Sequence, residues 1–518
     1  MNTAHEKISQ TLLPQPREFT PLSVDYTLDK SCAIICMTPT RSYAGERLAN
    51  MIEDEWGLHL PVRDEDRNDE YILHVTRNQE SQDLSSLGSR EANSLHDEEY
   101  VLRVDADGAV IRARTPQGLL WGAMTLRQLI MSRDNALSIQ GVEIQDHPRY
   151  ELRGFMIDSG RAPNSLPKLK RIVRICSAFK LNALFFREGD DEMNAVRYGT
   201  NKLGSLNSFA FSLEELAELS TYAGMHGITL IPEVESLGHS TAKGIHYPEL
   251  VSGGFEEKYA GIGSHIRKSH LAPCDPRTFE LLDSIYGELF GALRQPLIHL
   301  GLDEIRLPVE TQARHMTELL SRVSQCADRC GMQALPIVWS DAPETPNEYK
   351  DRTYRCLWEY GGKLSGGGGI ISPENEHLAD QGIDALSRSG CGQRVLMAGG
   401  SGSGHTPYSK SSYEDAYGNL GAWAKWGDQL ENYVGLFAVQ WSGNMTDKWL
   451  PDFLAAADFG WRPPRSIPPH DAIDKRIKEN LSRLTDASKP RPEEVDRPAW
   501  DGIWLKGDQW DEEILTKS

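Results

Sequence analysis

Apolar residues along this chain change their rhythm near residue 148. Before that point short strand-like runs alternate with polar positions and enclose helices. The clearest pieces are YILHVT (Tyr71 to Thr76), EYVLRVDADGAVIRA (Glu99 to Ala113) and the amphipathic GLLWGAMTLRQLIM (Gly118 to Met131), with a hairpin signal at Asp107-Gly108. These predict a small α+β domain over residues 1–147.

After Asp146-His147-Pro148 the runs become almost continuously apolar and are mostly separated by helical segments. They begin at Leu152 (LRGFMID), Asn182 (NALFFRE), Ile228 (ITLIPEVE), Leu297 (LIHLGLDE), Leu335 (LPIVWSD), Thr353 (TYRCLWEY), Arg394 (RVLMAGG) and Val434 (VGLFAVQW). Strands apolar on both faces belong in a parallel sheet covered by helices, and eight of them suggest closure. The predicted class is therefore α/β, a (β/α)8 TIM-type barrel over residues 148–465. Only about eleven residues separate the fifth and sixth runs, too few for a full helix and two loops, so a doubly wound open sheet is the competing topology. From residue 466 to 518 the chain is rich in proline and charge. One helix is expected near Asp471 to Arg483, and Trp500, Trp504 and Trp510 are expected to pack back onto the body of the protein, completing a helical and irregular extension.

Polar residues gather where these runs end. Asp158, Glu188, Glu233, Glu235, Asp303, Glu304, Asp341, Glu359 and Trp441 all fall at or just past the C-terminal ends of the predicted strands, the face on which such barrels carry their active sites.

Composition narrows the chemistry. With 55 Lys+Arg against 75 Asp+Glu, a formal charge of -20 argues against a nucleic acid or an anionic membrane as partner. No run approaches the length of a membrane span, and the N-terminal MNTAHEKISQTLLPQPREF lacks a basic segment followed by an apolar core, so a cytoplasmic location is expected. Eight scattered cysteines fit reduced thiols. Cys326 and Cys330 lie four apart with no second ligand pair, so packing is the reading and no metal or cofactor is expected. GGKLSGGGG (Gly361 to Gly369) lacks the Gly-Lys-Ser/Thr ending of a phosphate loop. The chain is compatible with a homodimer, although no residue fixes the oligomeric state.

The sharpest chemical signal is HLGLDEIR, His299 to Arg306. Two adjacent carboxylates disfavour each other's ionisation, so one is expected to keep a proton near neutral pH, as an acid catalyst needs. Strand alternation would put His299, Gly301 and Asp303 on one face, with Gly301 leaving room for a ligand. A helix cap or a salt bridge with Arg306 is the plain structural alternative. Trp339, Trp358 and Trp441 close the fifth, sixth and eighth strands. Each could simply cap the barrel core, but three at one rim suit the apolar face of a sugar, and paired carboxylates with aromatic walls suggest glycoside chemistry.

Taken together, the motifs resemble family 20 of the glycoside hydrolases, the β-N-acetylhexosaminidases, over roughly Leu12 to Trp461. His299, Gly301, Asp303 and Glu304 match the family's His/Asn-x-Gly-x-Asp-Glu. RGFMIDSGR (Arg153 to Arg161) resembles its Arg-Gly opening, KLNALFFREGDD (Lys180 to Asp191) its second-strand acidic pair, and IPEVESLGHS (Ile231 to Ser240) its third-strand motif. The resemblance implies an exo-acting, retaining enzyme that removes terminal GlcNAc or GalNAc from an oligosaccharide or glycoconjugate by substrate-assisted catalysis, an exception to the two-carboxylate scheme. It implies Glu304 as acid and base and Asp303 as partner of the acetamido group. Arg161, Asp190, His239, Trp339, Trp358 and Trp441 would form the sugar pocket.

Two positions depart from the family pattern. The seventh strand offers Ala398 and Gly399 where a tyrosine is expected, and the eighth continues Trp441-Ser442-Gly443-Asn444 in place of Trp-x-Glu. Together with LWEYGG on the sixth strand, these look closer to the intracellular hexosaminidase D type, and they imply weak discrimination between GlcNAc and GalNAc. They are also the best support for a carbohydrate-binding pseudoenzyme. A metal-dependent hydrolase using Glu235, His239, His299 and Asp303 is a further alternative, without a supporting ligand spacing.

Overall fold

A computed structural model of the chain describes residues 11–40, 42–66, 71–77, 97–133, 136–161, 163–191, 193–252, 270–305, 307–358, 393–399, 410–441, 450–465 and 470–494. The glycine-rich stretch from Gly361, Glu359, Arg306 and the three C-terminal tryptophans lie outside the described residues.

The N-terminal part is built on a seven-stranded sheet, in the order Glu18–Pro21, Val142–Asp146, Tyr100–Asp105, Gly108–Ala113, Tyr71–Thr76, Ala33–Thr38 and Val62–Asp66. All neighbours are antiparallel except the last pair. Asp105 pairs with Gly108, so the hairpin loop is Ala106-Asp107 and Gly108 opens the return strand at a φ of 149°. Helices Ala44–Trp56 and Pro116–Leu129 pack against this sheet. The second starts where Thr115 accepts the Gly118 N–H at 3.1 Å with Pro116 in its first turn. It lies close because Gly122 has no side chain, an added Cβ there meeting Ile111 at 2.3 Å.

The eight apolar runs form a closed parallel barrel in sequence order: Leu152–Asp158, Ala183–Arg187, Thr229–Glu233, Leu297–His299, Leu335–Trp339, Tyr354–Trp358, Val395–Gly399 and Tyr433–Gln440. The first strand pairs with the last, from Leu152 opposite Gly435 to Ile157 opposite Gln440, which removes the open-sheet alternative. The short link between the fifth and sixth strands carries a 3-10 helix, Asn347–Arg352, and closure survives because a parallel neighbour needs a crossover of sufficient reach and not an α-helix as such. Met156, Phe185, Ile231, Ile337, Cys356, Leu396 and Phe437 fill the interior, so the barrel is a packed core on which a site can rest.

Beyond the eighth strand, helix Leu450–Trp461 covers the first and last strands, and helix His470–Arg483 packs on it. The seven described cysteines are free thiols. Among the described residues no helix is long and apolar enough to cross a membrane.

Candidate active site

The barrel plug is capped by one buried arginine. Arg187 ends the second strand, and its guanidinium reaches Asp190 Oδ2 at 2.7 Å, Glu233 Oε1 at 2.7 Å, Glu235 Oε1 at 2.9 Å and Asp158 Oδ2 at 3.9 Å. Trp339 donates its indole N–H to the same Glu233 oxygen at 2.8 Å, and the His299 ring lies 4.5 Å from the Trp339 ring. Burial holds His299 down to about 3, so it is neutral, and its Nδ1 accepts the Gly301 N–H at 3.1 Å. Arg187 was not singled out in the sequence. Its signal is a charge terminating the otherwise apolar strand ALFFR.

Above this floor a chain of acid, imidazole and acid runs across the pocket. His239 Nδ1 stands 3.1 Å from Asp191 Oδ2 and 3.3 Å from Asp190 Oδ1, and its Nε2 stands 3.2 Å from Glu304 Oε2 and 3.7 Å from Asp303 Oδ2. Burial opposes a charge on the ring, but Asp190, Asp303 and Asp191 outweigh it and raise His239 well above the usual range. Asp191 is fixed in turn by the Thr241 N–H at 3.1 Å and the Thr241 hydroxyl at 2.7 Å. The sequence resemblance places only the first member of this acidic pair in the pocket. The second makes the shorter contact to the histidine. Asp190 is 1 % exposed and pairs with Arg161 Nη2 at 3.0 Å, Arg161 being the more exposed of the two.

The carboxyls divide by environment. Asp303 is buried, which alone would raise it, yet His239 and Arg187 hold it below the ordinary carboxylate range, assisted by a hydrogen bond with Glu235. Asp190 is held well below that range against its burial by Arg161, Arg187 and His239. Burial pushes Asp158 to about 6 and Glu233 to about 7, and it raises Glu235 strongly with help from the charge of Asp303. Asp341 is open to the pocket but walled by protein, and that burial with the nearby Asp303 takes it to about 7. Asp303 is therefore held ionised, and Glu304 is the more exposed of the two, at 38 % for its side chain against 12 %.

Two sequence expectations change here. The fourth strand stops at His299, and Gly301, Leu302 and Glu304 take left-handed φ values of 68°, 73° and 50°, so simple strand alternation does not carry through to Asp303. The space at Gly301 is occupied by Glu235 and not left for a ligand, since a Cβ there would lie 2.3 Å from Glu235 Oε2. Asp303 and Glu304 cap no helix, because the next one begins at Val309 after Pro308.

The three tryptophans take different places. Trp339 is 1 % exposed and forms the floor. Trp441 is half-buried, its ring 5.9 Å from Trp339 and lying over the guanidinium groups of Arg187 at 5.0 Å and Arg161 at 5.5 Å. Trp358 is half-buried and donates to Asp341 Oδ1 at 3.1 Å. On the seventh strand Ala398 faces the barrel interior, and a Cβ on Gly399 would meet Asn419 Oδ1 at 2.3 Å and Trp423 at 2.9 Å, so that strand end has no room for an aromatic at Gly399. Ser442, Gly443 and Asn444 lie outside the described residues.

Asp190, Asp191 and His239 bring ligand-type atoms within 4.8 Å of one another. The carboxyls around it raise the proton affinity of the imidazole, and a metal at this point would have to displace that proton.

Residues 150–330 match the model of the glycosyl hydrolase family 20 catalytic domain, and residues 9–147 match that of glycosyl hydrolase family 20, domain 2. A β-N-acetylhexosaminidase of Cellulomonas fimi is 26% identical over 71% of this chain and 75% of its own. A β-hexosaminidase A of Caenorhabditis elegans is 31% identical over 40% of this chain and 38% of its own, and for the A1 subunit of Dictyostelium discoideum β-hexosaminidase the match, 29% identical, spans 46% of this chain and 43% of its own. The chain thus spans three quarters of one of these relatives and less than half of the other two. The fold is shared with the family 20 exo-β-N-acetylglucosaminidase of Vibrio harveyi in complex with N-acetylglucosamine, at a TM-score of 0.69 and 19% identity over 93% of this chain and 78% of that one. It is shared equally with the family 20 β-N-acetylhexosaminidase of Streptomyces coelicolor A3(2), at 0.67 and 18% over 94% and 97%.

Proposed function

The chain belongs to glycosyl hydrolase family 20, and from that premise we propose that it is an exo-acting, retaining β-N-acetylhexosaminidase that removes terminal GlcNAc or GalNAc by substrate-assisted catalysis. The observation that carries the assignment of roles is the position of His239, with Asp190 and Asp191 at one nitrogen and the Glu304 carboxyl 3.2 Å from the other. A charged imidazole there orients the Glu304 carboxyl. It also offsets the negative charge left on Glu304 once its proton has gone to the leaving oxygen.

In the first step Glu304 protonates the glycosidic oxygen while the acetamido carbonyl of the substrate attacks the anomeric carbon. The resulting oxazolinium ion is cationic. Asp303, held ionised by His239 and Arg187, accepts the acetamido N–H and stabilises that charge. In the second step Glu304, now a carboxylate, takes a proton from water as it opens the ring. Trp339 floors the pocket, Trp441 and Trp358 wall it, Arg161 binds ring hydroxyls, and Asp190 holds Arg161 in place.

The finer reading is a hexosaminidase D type enzyme acting in the cytoplasm: the seventh-strand end at Ala398 and Gly399 supports the type, and Trp441-Ser442-Gly443-Asn444, which offers no carboxylate for the outer hydroxyls, supports action on both epimers. A large kinetic preference for GlcNAc would count against that part alone.

The test is hydrolysis of aryl GlcNAc, GalNAc and glucose β-glycosides by the wild type and by Glu304→Gln. The glucoside, lacking the acetamido nucleophile, is expected to be nearly inert. Glu304→Gln is expected to lose on the order of 100-fold or more in rate on poor leaving groups. Full activity of that variant on a poor leaving group would remove Glu304 as the acid.

A further inference from the structure

Glu304 holds a backbone conformation that its own side chain disfavours. Its φ of 50° follows Leu302 at 73° and Gly301 at 68°, so two of these three left-handed residues carry a Cβ. Each such residue costs about 1–2 kcal/mol, and the arrangement persists only where the surroundings over-determine it. One tie lies at the start of the turn, where His299 Nδ1 accepts the Gly301 N–H. Another lies at Glu304 itself.

The Glu304 N–H donates to Asp341 Oδ2 at 2.6 Å. The second oxygen of the same carboxylate accepts the Trp358 indole N–H at 3.1 Å. Asp341 follows the fifth strand, Trp358 ends the sixth, and Glu304 follows the fourth. One carboxyl group therefore links three consecutive strand ends at the pocket mouth, each of its oxygens accepting one N–H.

We propose that Asp341 is a positioning residue for the general acid, fixing the backbone of Glu304 so that its carboxyl meets both His239 and the leaving oxygen. This rests on the reading of Glu304 as the acid given above. Asp341 does not touch the reacting atoms in this account. A general acid misplaced by even 1 Å loses much of its effect, and that loss falls where protonation matters most.

The consequence is a dependence on the leaving group. Glu304→Gln, Asp341→Ala and Asp341→Asn are compared with the wild type on an alkyl GlcNAc glycoside, whose leaving group needs a proton, and on dinitrophenyl GlcNAc, whose leaving group does not. The quantity read is kcat/KM, which reports the first step, together with the inhibition constant of free N-acetylglucosamine. Asp341→Ala is expected to lose on the order of 100-fold on the alkyl glycoside and less than about tenfold on the dinitrophenyl one, with the inhibition constant within about threefold of wild type. Asp341→Asn, whose single carboxamide oxygen can accept from Glu304 but whose nitrogen cannot accept from Trp358, is expected to fall between wild type and Asp341→Ala. It also carries the comparison if the alanine variant does not fold.

An equal loss on both substrates, a loss expressed as weaker sugar binding, or no loss at all would overturn the positioning role while leaving Glu304 as the acid. If Glu304→Gln itself shows no leaving-group dependence, the acid assignment fails and this proposal fails with it.

Discussion

At the level of single residues the site is decided by which carboxyls ionise. Arg187 touches Asp158, Asp190, Glu233 and Glu235, more carboxyls than one guanidinium can neutralise. The excess is settled by proton retention, and Glu233 is the clearest case, raised by burial to about 7 against the pull of Arg187. Its folded value lies above the ordinary 4.5, so the folded state binds more protons than the unfolded one between those two values. The stability contributed by protonated Glu233 is therefore complete at low pH and is lost as pH rises from about 4.5 through about 7. Glu233→Gln keeps a neutral acceptor for Trp339 and has no such loss. Relative to wild type the variant is expected to gain on the order of 1–3 kcal/mol between pH 5 and pH 8. Denaturant unfolding of both proteins at the two pH values measures this, and a difference independent of pH would mean that Glu233 is ionised throughout.

At the level of elements the decisive piece is the turn after the fourth strand. Gly301 lets the chain reverse at a φ of 68° while the Glu235 carboxyl fills the space beside its Cα. Gly301→Ala would add a Cβ that displaces Glu235 and strains the turn, so a loss of about 1–3 kcal/mol in stability is expected together with at least a tenfold fall in kcat. Thermal unfolding and steady-state kinetics check the two halves separately, and full activity with lowered stability would show that Glu235 can move without disturbing Asp303. This turn also marks where the sequence stops being readable. The eight apolar strands, the Asp105–Gly108 hairpin and the helix at Pro116–Leu129 were legible because burial imposes a period on the chain. The HLGLDE motif was legible as chemistry. The left-handed turn that presents its acids was not, because Leu302 and Glu304 are residues that rarely adopt it and contacts from other elements, among them those of His299, Trp339 and Asp341, hold it there. Arg187 and Asp191 escaped assignment to the pocket, and Asp341 was placed at the barrel rim without a role, for a related reason: most of their partners lie far along the chain, and a single sequence carries no sign of who meets whom across a barrel.

At the level of the whole molecule, the N-terminal part and the barrel are joined through a buried charge. Lys180, 1 % exposed at the edge of the second barrel strand, donates to Tyr100 at 2.8 Å and to Asp146 at 3.2 Å, both from the N-terminal sheet. Asp146 also accepts the Trp461 indole N–H at 2.9 Å, and the Lys180 ammonium lies 4.3 Å from that ring, so the helix covering the barrel takes part as well. Desolvation depresses the lysine to about 8, so the ammonium is costly to bury and the arrangement stands because each polar atom is answered. Removing one partner should then cost more than removing both. Lys180→Met leaves Asp146 charged and buried and is expected to destabilise the protein by about 3 kcal/mol, whereas Lys180→Met with Asp146→Asn should recover a large part of that loss. If the domains dock cooperatively, the single variant lowers one common unfolding transition followed by both tryptophan fluorescence and far-ultraviolet circular dichroism. A split into two transitions would locate the damage at the junction, with the barrel still folded, and activity measured between the transitions would then report whether the site needs the N-terminal part at all. Arg187, His239 and Asp341 make all their described contacts within the barrel, so retention of activity is the expected result.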